Sequence, residues 1–80
     1  MIQATVAVYP MGQADNGAID AAIESLRAAG IVVGVRSMQT EIAGDTDAVF
    51  AAARDAFDAA AARGGVAMTL SISNACPVIP

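Results

Sequence analysis

Hydrophobic and polar residues recur along the chain with two different periods. Residues 2–9 and 66–74 alternate at every second position, which is typical of half-buried β-strands. Two shorter segments, 31–37 and 39–43, predict a hairpin, the first of them being rich in β-branched side chains. The pattern therefore predicts four strands.

The segment after the first strand repeats its apolar residues with the period of a helix. This helix is predicted to begin after Asp15 or Asn16, either of which can act as its N-cap. It is predicted to end at Gly30, because a residue without a Cβ suits the left-handed position that follows a helix. Its buried face comprises Ile19, Ala22, Ile23 and Leu26.

A second helix is predicted between Asp45, an N-cap residue, and the glycine pair 64–65. Asp47 in its first turn has a favourable interaction with the helix dipole. We predict that the buried stripe of this helix comprises Val49, Phe50, Ala53, Ala56, Phe57 and Ala60. Both phenylalanines are thus expected in the core.

The order of these elements, βαββαβ, is that of an α+β ferredoxin-like fold. Right-handed crossovers place both helices on one face of a four-stranded antiparallel sheet, with the first and third strands at its centre. We expect residues 1–80 to form a single domain of this kind.

The two faces of the predicted sheet differ in composition. The face toward the helices carries apolar residues, namely Ile2, Val6, Val8, Ile42, Met68, Leu70 and Ile72. The opposite face, here called the open face, carries mostly small and weakly polar residues, namely Thr5, Ala7, Glu41, Ala67, Thr69, Ser71 and Ser73. A sheet face in water usually carries longer charged residues, whereas small ones allow another sheet to approach closely. We therefore expect the open face to pack on a second copy or on a ligand; the alternative is a solvated face.

Charge and length narrow the class of function. The 80 residues carry a net charge of −4, with four arginines and no lysine or histidine, so no basic stripe is present to bind nucleic acid. No apolar run reaches the roughly 18 residues of a membrane span, and the N-terminus does not resemble a signal peptide. We expect a soluble, cytoplasmic protein without membrane insertion. So small a domain favours a homo-oligomer, a dimer or tetramer formed through the open face.

The inventory of reactive side chains argues against an enzyme. Without histidine, the commonest general acid and base is missing and no typical zinc site can form. Cys76 is the only cysteine, so no internal disulfide exists, and no histidine or lysine is present to activate its thiol. We expect no catalytic residue, no metal and no cofactor, a small carboxylate enzyme being the weaker alternative.

Two residues of the first and third strands are candidates for ligand contact. Glu41 lies on a central strand, where a covered carboxylate needs a partner because burying an unpaired charge costs several kcal/mol. That partner is either a ligand amine, amidine or cation, or Arg36 on the neighbouring strand. Tyr9, at the end of the first strand, either stacks on an aromatic ligand or belongs to a protein interface.

Several short motifs, taken in order, resemble a known family. They are Val8-Tyr9-Pro10-Met11, Thr40 to Asp45 followed by Val49-Phe50, and Met68-Thr69 with Ser73 to Pro77. Over nearly its whole length the chain is similar to the YkoF-type thiamine- and hydroxymethylpyrimidine-binding family. The resemblance implies a ferredoxin-like fold and ligand binding without catalysis. Some members carry two such repeats and this chain has one, which suggests that a homodimer replaces the tandem.

The resemblance also implies which residues bind the ligand. Thiamine joins an aminopyrimidine to a cationic thiazolium, so Glu41 would bind the amino group or the positive ring. The other implied ligand-binding residues are Tyr9, Met11, Thr40, Ser71, Ser73 and Asn74. Strand parity directs Thr40 and Asn74 toward the helices and Glu41 away from them, so a single pocket holding them all requires a strand end or a bulge.

The expected function is therefore binding of thiamine or its hydroxymethylpyrimidine moiety, in transport, salvage or sequestration. The alternative is a ferredoxin-like regulatory domain that senses another small metabolite at a dimer interface.

Overall fold

The computed structural model describes residues 1–12, 16–36 and 39–75, with only the backbone described at Val32. The elements follow one another as β1 (Ile2–Pro10), α1 (Gly17–Ala28), β2 (Val32–Val35), β3 (Thr40–Gly44), α2 (Thr46–Ala61) and β4 (Val66–Ser73). The predicted capping role of Asp15, the hairpin connection at 37–38 and the predictions for Cys76 lie outside the described residues.

The four strands form one sheet in the order β2-β3-β1-β4, and every neighbouring pair is antiparallel. The first and third strands are central, as predicted, and the two crossover helices pack on the same side. The ferredoxin-like α+β fold predicted from the order of elements is confirmed.

Both ends of α1 agree with the sequence-based prediction. Asn16 occupies the N-cap position, and its carbonyl oxygen accepts a hydrogen bond of 3.0 Å from the amide of Asp20. Ala29 is the C-cap, and Gly30 follows with a φ of +74°, the left-handed conformation that a side chain with a Cβ adopts at a cost.

The start of α2 is also where it was predicted. Asp45 is the N-cap, with an extended backbone, and its carbonyl oxygen accepts a hydrogen bond of 2.9 Å from the amide of Val49. Its side chain makes no capping hydrogen bond, so the acid that favours the first turn is Asp47, through the helix dipole.

Strand register separates the two faces of the sheet as parity predicts. On β1, Ala4 pairs with Ile42 of β3 and both are buried under the helices. The next residue, Thr5, pairs with Glu41 and points to the open face. Ile72 faces the helix side but remains 41% exposed, because β4 is an edge strand.

The core between the sheet and the helices is built largely from small side chains. Its largest fully buried members are Leu26, Ile42 and Val49. The contact surfaces of the two helices are mostly alanine, at most 2% exposed, namely Ala18, Ala22, Ala52, Ala56 and Ala60. Such side chains let two helices and a sheet approach closely, and they leave little room for an aromatic ring.

The prediction that Phe50 and Phe57 belong to the core is wrong. Their side chains are 50% and 39% exposed. The buried stripe of α2 comprises Val49, Ala52, Ala53, Ala56 and Ala60. Both phenylalanines lie beside this stripe, because the helix is rotated so that alanines, which fit the narrow gap, face inward.

No helix of the described ranges is long and apolar enough to cross a membrane.

Candidate functional site

The open face presents a row of small and polar residues across all four strands. Glu41 of β3 pairs with Gly34 of β2 and with Thr5 of β1, and Thr5 pairs in turn with Ser71 of β4. The side chains of this row rise from the same side of the sheet because they are cross-strand neighbours. The row brings together a carboxylate and two hydroxyl groups.

The carboxylate of Glu41 forms an ion pair within the hairpin. The Arg36 Nε donates a hydrogen bond of 3.0 Å to Glu41 Oε1, with side-chain exposures of 57% and 22% respectively. The amide of Arg36 donates a hydrogen bond of 2.8 Å to the carbonyl oxygen of Gln39, which brings this arginine back beside β3. The sequence offered Arg36 or a ligand as the partner of Glu41, and within the folded chain Arg36 contacts this carboxylate.

A hollow of about 160 Å³ lies along the β1–β4 side of the sheet. It is lined by Gln3, Ala4, Thr5, Ser71, Ile72 and Ser73. The hydroxyl oxygen of Ser73 accepts a hydrogen bond of 3.0 Å from the amide of Ala75, so its own hydrogen remains for donation. Two of the predicted ligand-binding residues, Ser71 and Ser73, thus line the same hollow.

Gln3 is a polar residue of this hollow that the sequence-based site does not include. Its side-chain oxygen Oε1 is buried and has no hydrogen-bond partner within the part of the chain that the structure describes. An unsatisfied buried carbonyl costs about 1–3 kcal/mol. Strand parity already places Gln3 on the same face as Thr5, so the signal was present in the alternation of β1, but the unpaired oxygen becomes visible only in the structure.

Thr40 lies on the other side of the sheet from Glu41. Its side chain is 6% exposed, and it lines a separate hollow of about 100 Å³ beneath α1, together with Val6, Ile19 and Leu26. The structure therefore does not bring Thr40 and Glu41 into one pocket, in agreement with strand parity.

Tyr9 and Met11 lie at the far end of β1. Tyr9 is 50% exposed and pairs with Ala67, and Met11 is 61% exposed, with its amide donating a hydrogen bond of 2.9 Å to Gly65. Tyr9 is four residues along β1 from Thr5, a distance of roughly 13 Å at the rise of a strand. A single heterocycle beside Thr5 therefore does not also reach Tyr9.

Asn74 follows β4 directly and is exposed. It is near Ser73 in the chain but does not line the hollow beside that residue. A third hollow, of about 330 Å³, is lined by residues that include Met1, Gly30 and Asp45, and by none of the predicted ligand-binding residues.

Within residues 1–12, 16–36 and 39–75, no cluster of three carboxylate or thiol side chains is placed to hold a metal ion. The open face offers hydrogen-bonding groups and the carboxylate of Glu41, which is paired with Arg36.

The geometry defines a class of protein, a ferredoxin-like α+β domain. The sheet face that its helices leave uncovered carries small and polar side chains and the ion pair of Arg36 with Glu41. Within this class, residues 1–78 match the model of the YKOF-related family. The chain belongs to that family.

Solved structures share the fold. A hypothetical protein of Methanocaldococcus jannaschii is 24% identical, with a TM-score of 0.83, over 91% of this chain and 78% of that one. A domain of unknown function from Bacillus cereus is 21% identical, with a TM-score of 0.82, over 90% of this chain and 73% of that one. These similarities establish the fold and carry no function.

A further solved structure is named for a biological role. It is a Thermotoga maritima protein whose name proposes thiamine biosynthesis or salvage, and it is 18% identical, with a TM-score of 0.79, over 89% of this chain and 80% of that one. Among curated proteins, none matches the sequence significantly.

Proposed function

We propose that this protein binds thiamine or its hydroxymethylpyrimidine moiety without transforming it, and serves thiamine transport, salvage or sequestration in the cytoplasm. The observation that carries the proposal is the half-buried carboxylate of Glu41, set among small residues on the uncovered face of a YKOF-related domain. The role named for the Thermotoga maritima structure supports the same conclusion.

The chemistry of thiamine suits this surface. Its thiazolium ring is permanently cationic, and a protein with a net charge of −4 and no lysine attracts rather than repels such a ring. Arg36 contacts Oε1 of Glu41, so the ligand is proposed to approach the other carboxylate oxygen, Oε2. Hydrogen bonds to the pyrimidine then come from the hydroxyl groups of Thr5, Ser71 and Ser73.

The proposal includes a second copy of the chain. A core whose largest fully buried side chains are Leu26, Ile42 and Val49 provides modest stabilisation for 80 residues. A dimer or tetramer formed through the open face buries further surface and excludes water from the ligand, which strengthens its interaction with Glu41. Small residues such as Ala7 and Thr69, which pair across β1 and β4, permit that close approach.

Calorimetric titration tests the proposal. Wild-type protein is titrated with cationic thiamine and with neutral hydroxymethylpyrimidine. The variant Glu41→Gln keeps the shape of the side chain and removes its charge. We expect its affinity for thiamine to fall about tenfold or more, because one charge-assisted contact is lost. Its affinity for hydroxymethylpyrimidine should fall less, because that compound carries no charge. The matched control is Glu24→Gln, at an exposed position on α1, which should bind both ligands as the wild type does.

Thermal unfolding provides an independent measurement. A ligand present at about 100 times its dissociation constant stabilises a one-site protein by about 2.7 kcal/mol, so the midpoint should rise with thiamine or hydroxymethylpyrimidine. If folded, ligand-free protein shows no heat and no shift with either compound or with its phosphates, the proposed function is wrong.

A further inference from the structure

The side-chain oxygen of Gln3, on the open face, is buried and has no partner among the described residues, although the residue as a whole is only half-buried. In the register of the sheet, Gln3 lies between Ala43 of β3, which is fully buried, and Ser73 of β4. No donor of the described residues reaches Oε1 in this arrangement. The folded chain thus holds a strong hydrogen-bond acceptor whose requirement something else must satisfy.

The same carboxamide borders the hollow of about 160 Å³ along β1 and β4. The terminal torsion of a glutamine is broad and roughly two-fold, so a half-turn of the amide exchanges the positions of its oxygen and its NH₂ group. This rotation moves the buried oxygen without moving the backbone. Because the oxygen and the NH₂ group share one plane, a rotamer that turns this plane toward the hollow would offer an acceptor and a donor side by side to a molecule there.

We propose that Gln3 is a specificity-determining residue that recognises the edge of an amino-substituted nitrogen heterocycle. Its carbonyl oxygen accepts a hydrogen bond from the exocyclic amino group, and its NH₂ group donates one to the adjacent ring nitrogen. A primary amide and an amino-heterocycle form two such bonds in one plane, as glutamine does with adenine. This inference rests on the proposed function and assigns the aminopyrimidine half of the ligand to the hollow beside Gln3.

The positions of the two recognition groups fit a ligand of two linked rings. Thr5, which lines the hollow, is one strand spacing from Glu41, and Ser71 is one spacing further, so the carboxylate lies roughly 5 to 10 Å from the residues that line the hollow. A neutral heterocycle in the hollow leaves an attached cationic ring on the side of Glu41. Each half of the ligand then meets the group of matching chemistry.

Gln3→Met tests the assignment, because methionine has nearly the same length and neither polar atom. The probes are 4-amino-5-hydroxymethyl-2-methylpyrimidine and 5-hydroxymethyl-2-methylpyrimidine, which has the same ring nitrogens and lacks the exocyclic amino group. Wild-type protein should bind the amino compound at least about tenfold more tightly than the other, since no rotation of the amide supplies the missing donor and the Gln3 oxygen stays unpaired. Gln3→Met should lose about 10- to 100-fold in affinity for the amino compound, the value of two hydrogen bonds, and less for the compound without the amino group, which can form one of them.

Two further measurements separate recognition from a structural role. The thermal midpoint of ligand-free Gln3→Met should equal or exceed that of the wild type, because the substitution removes an unsatisfied buried oxygen. Gln39→Met, the same change at an exposed residue of the hairpin, should leave binding and the ratio between the two probes unchanged.

The outcomes distinguish this inference from the proposed function. If the wild type binds thiamine and Gln3→Met retains its full preference for the amino compound, the role of Gln3 is wrong and the proposed function stands. If Gln3→Met instead dissociates the oligomer and leaves affinity per folded subunit intact, the amide serves a second copy and the inference is again overturned. If the wild type binds neither pyrimidine nor thiamine, both proposals fail.

Discussion

The two faces of the sheet are built by alternate residues of the same strands, yet they are stabilised by different interactions. On the face under the helices, Val6 and Ile42 are at most 3% exposed and pack within an apolar cluster. On the open face, Thr5 and Ser71 pair across β1 and β4 beside an ion pair and an unsatisfied amide. We therefore expect the face under the helices to provide most of the stability of the fold and the open face to contribute less.

The largest effect is expected on the covered face. Ile42→Ala should lower the free energy of unfolding by about 2–5 kcal/mol, since it removes a fully buried side chain from a core that has few large ones. Thr5 lies on the open face and pairs with Glu41, the residue before Ile42 in β3. Thr5→Ala should cost less than about 1 kcal/mol. Urea denaturation of both variants measures the difference. Equal losses would contradict the division of roles between the two faces.

A smaller effect is expected at the outer edge of α2. Phe57→Ser should cost about 1–2 kcal/mol, against about 3–5 kcal/mol for truncating a fully buried phenylalanine, because 39% of the side chain is already exposed. The control is Ala56→Ser at the adjacent, fully buried position, where an added hydroxyl has to be satisfied inside the core. A loss of 3 kcal/mol or more at position 57, about that of a core phenylalanine, would show that this ring is packed in solution.

The smallest effect on stability is expected for a substitution on the open face. If the proposed oligomer forms through this face, the same substitution should strongly weaken association of the subunits. Thr69→Arg should change the free energy of unfolding of the subunit by no more than about 0.5 kcal/mol, because Thr69 is exposed. The same arginine would be forced against a partner sheet, so sedimentation equilibrium should show a shift from oligomer to monomer. Ala61→Arg, on the exposed end of α2, should leave the oligomer intact. An unchanged oligomer in Thr69→Arg would exclude the open face as the interface.

Much of the fold could be predicted because it depends on local patterns. The period of two along β1 and β4 separates the buried face from the open face, and Gly30 marks the end of α1 through a conformation that glycine adopts most easily. The positions of Phe50 and Phe57 could not be predicted this way. Helical spacing admits several rotations of α2, and the one adopted depends on how closely α1 and the sheet approach.

The candidate site was predictable only in part, for the same reason. Parity separates Thr40 from Glu41, and the structure indeed has them on opposite faces of the sheet. It could not choose between Arg36 and a ligand as the partner of Glu41, because that depends on the path of a side chain after the hairpin has formed. Nor could it reveal that Gln3 lacks a donor, since hydrogen-bond satisfaction depends on every neighbour in space.

The sequence by itself determined the order of the elements, the antiparallel sheet with two covering helices, and the division of each strand into an apolar and a polar side. These properties follow from the periodicity of side chains along the backbone, which is a local property of the chain. Only the tertiary structure decided which side of α2 faces inward, that Arg36 meets Glu41, and that the amide of Gln3 borders a hollow with an unsatisfied oxygen. Those features depend on contacts between residues distant in the chain, which form only once helices and strands have packed at definite distances.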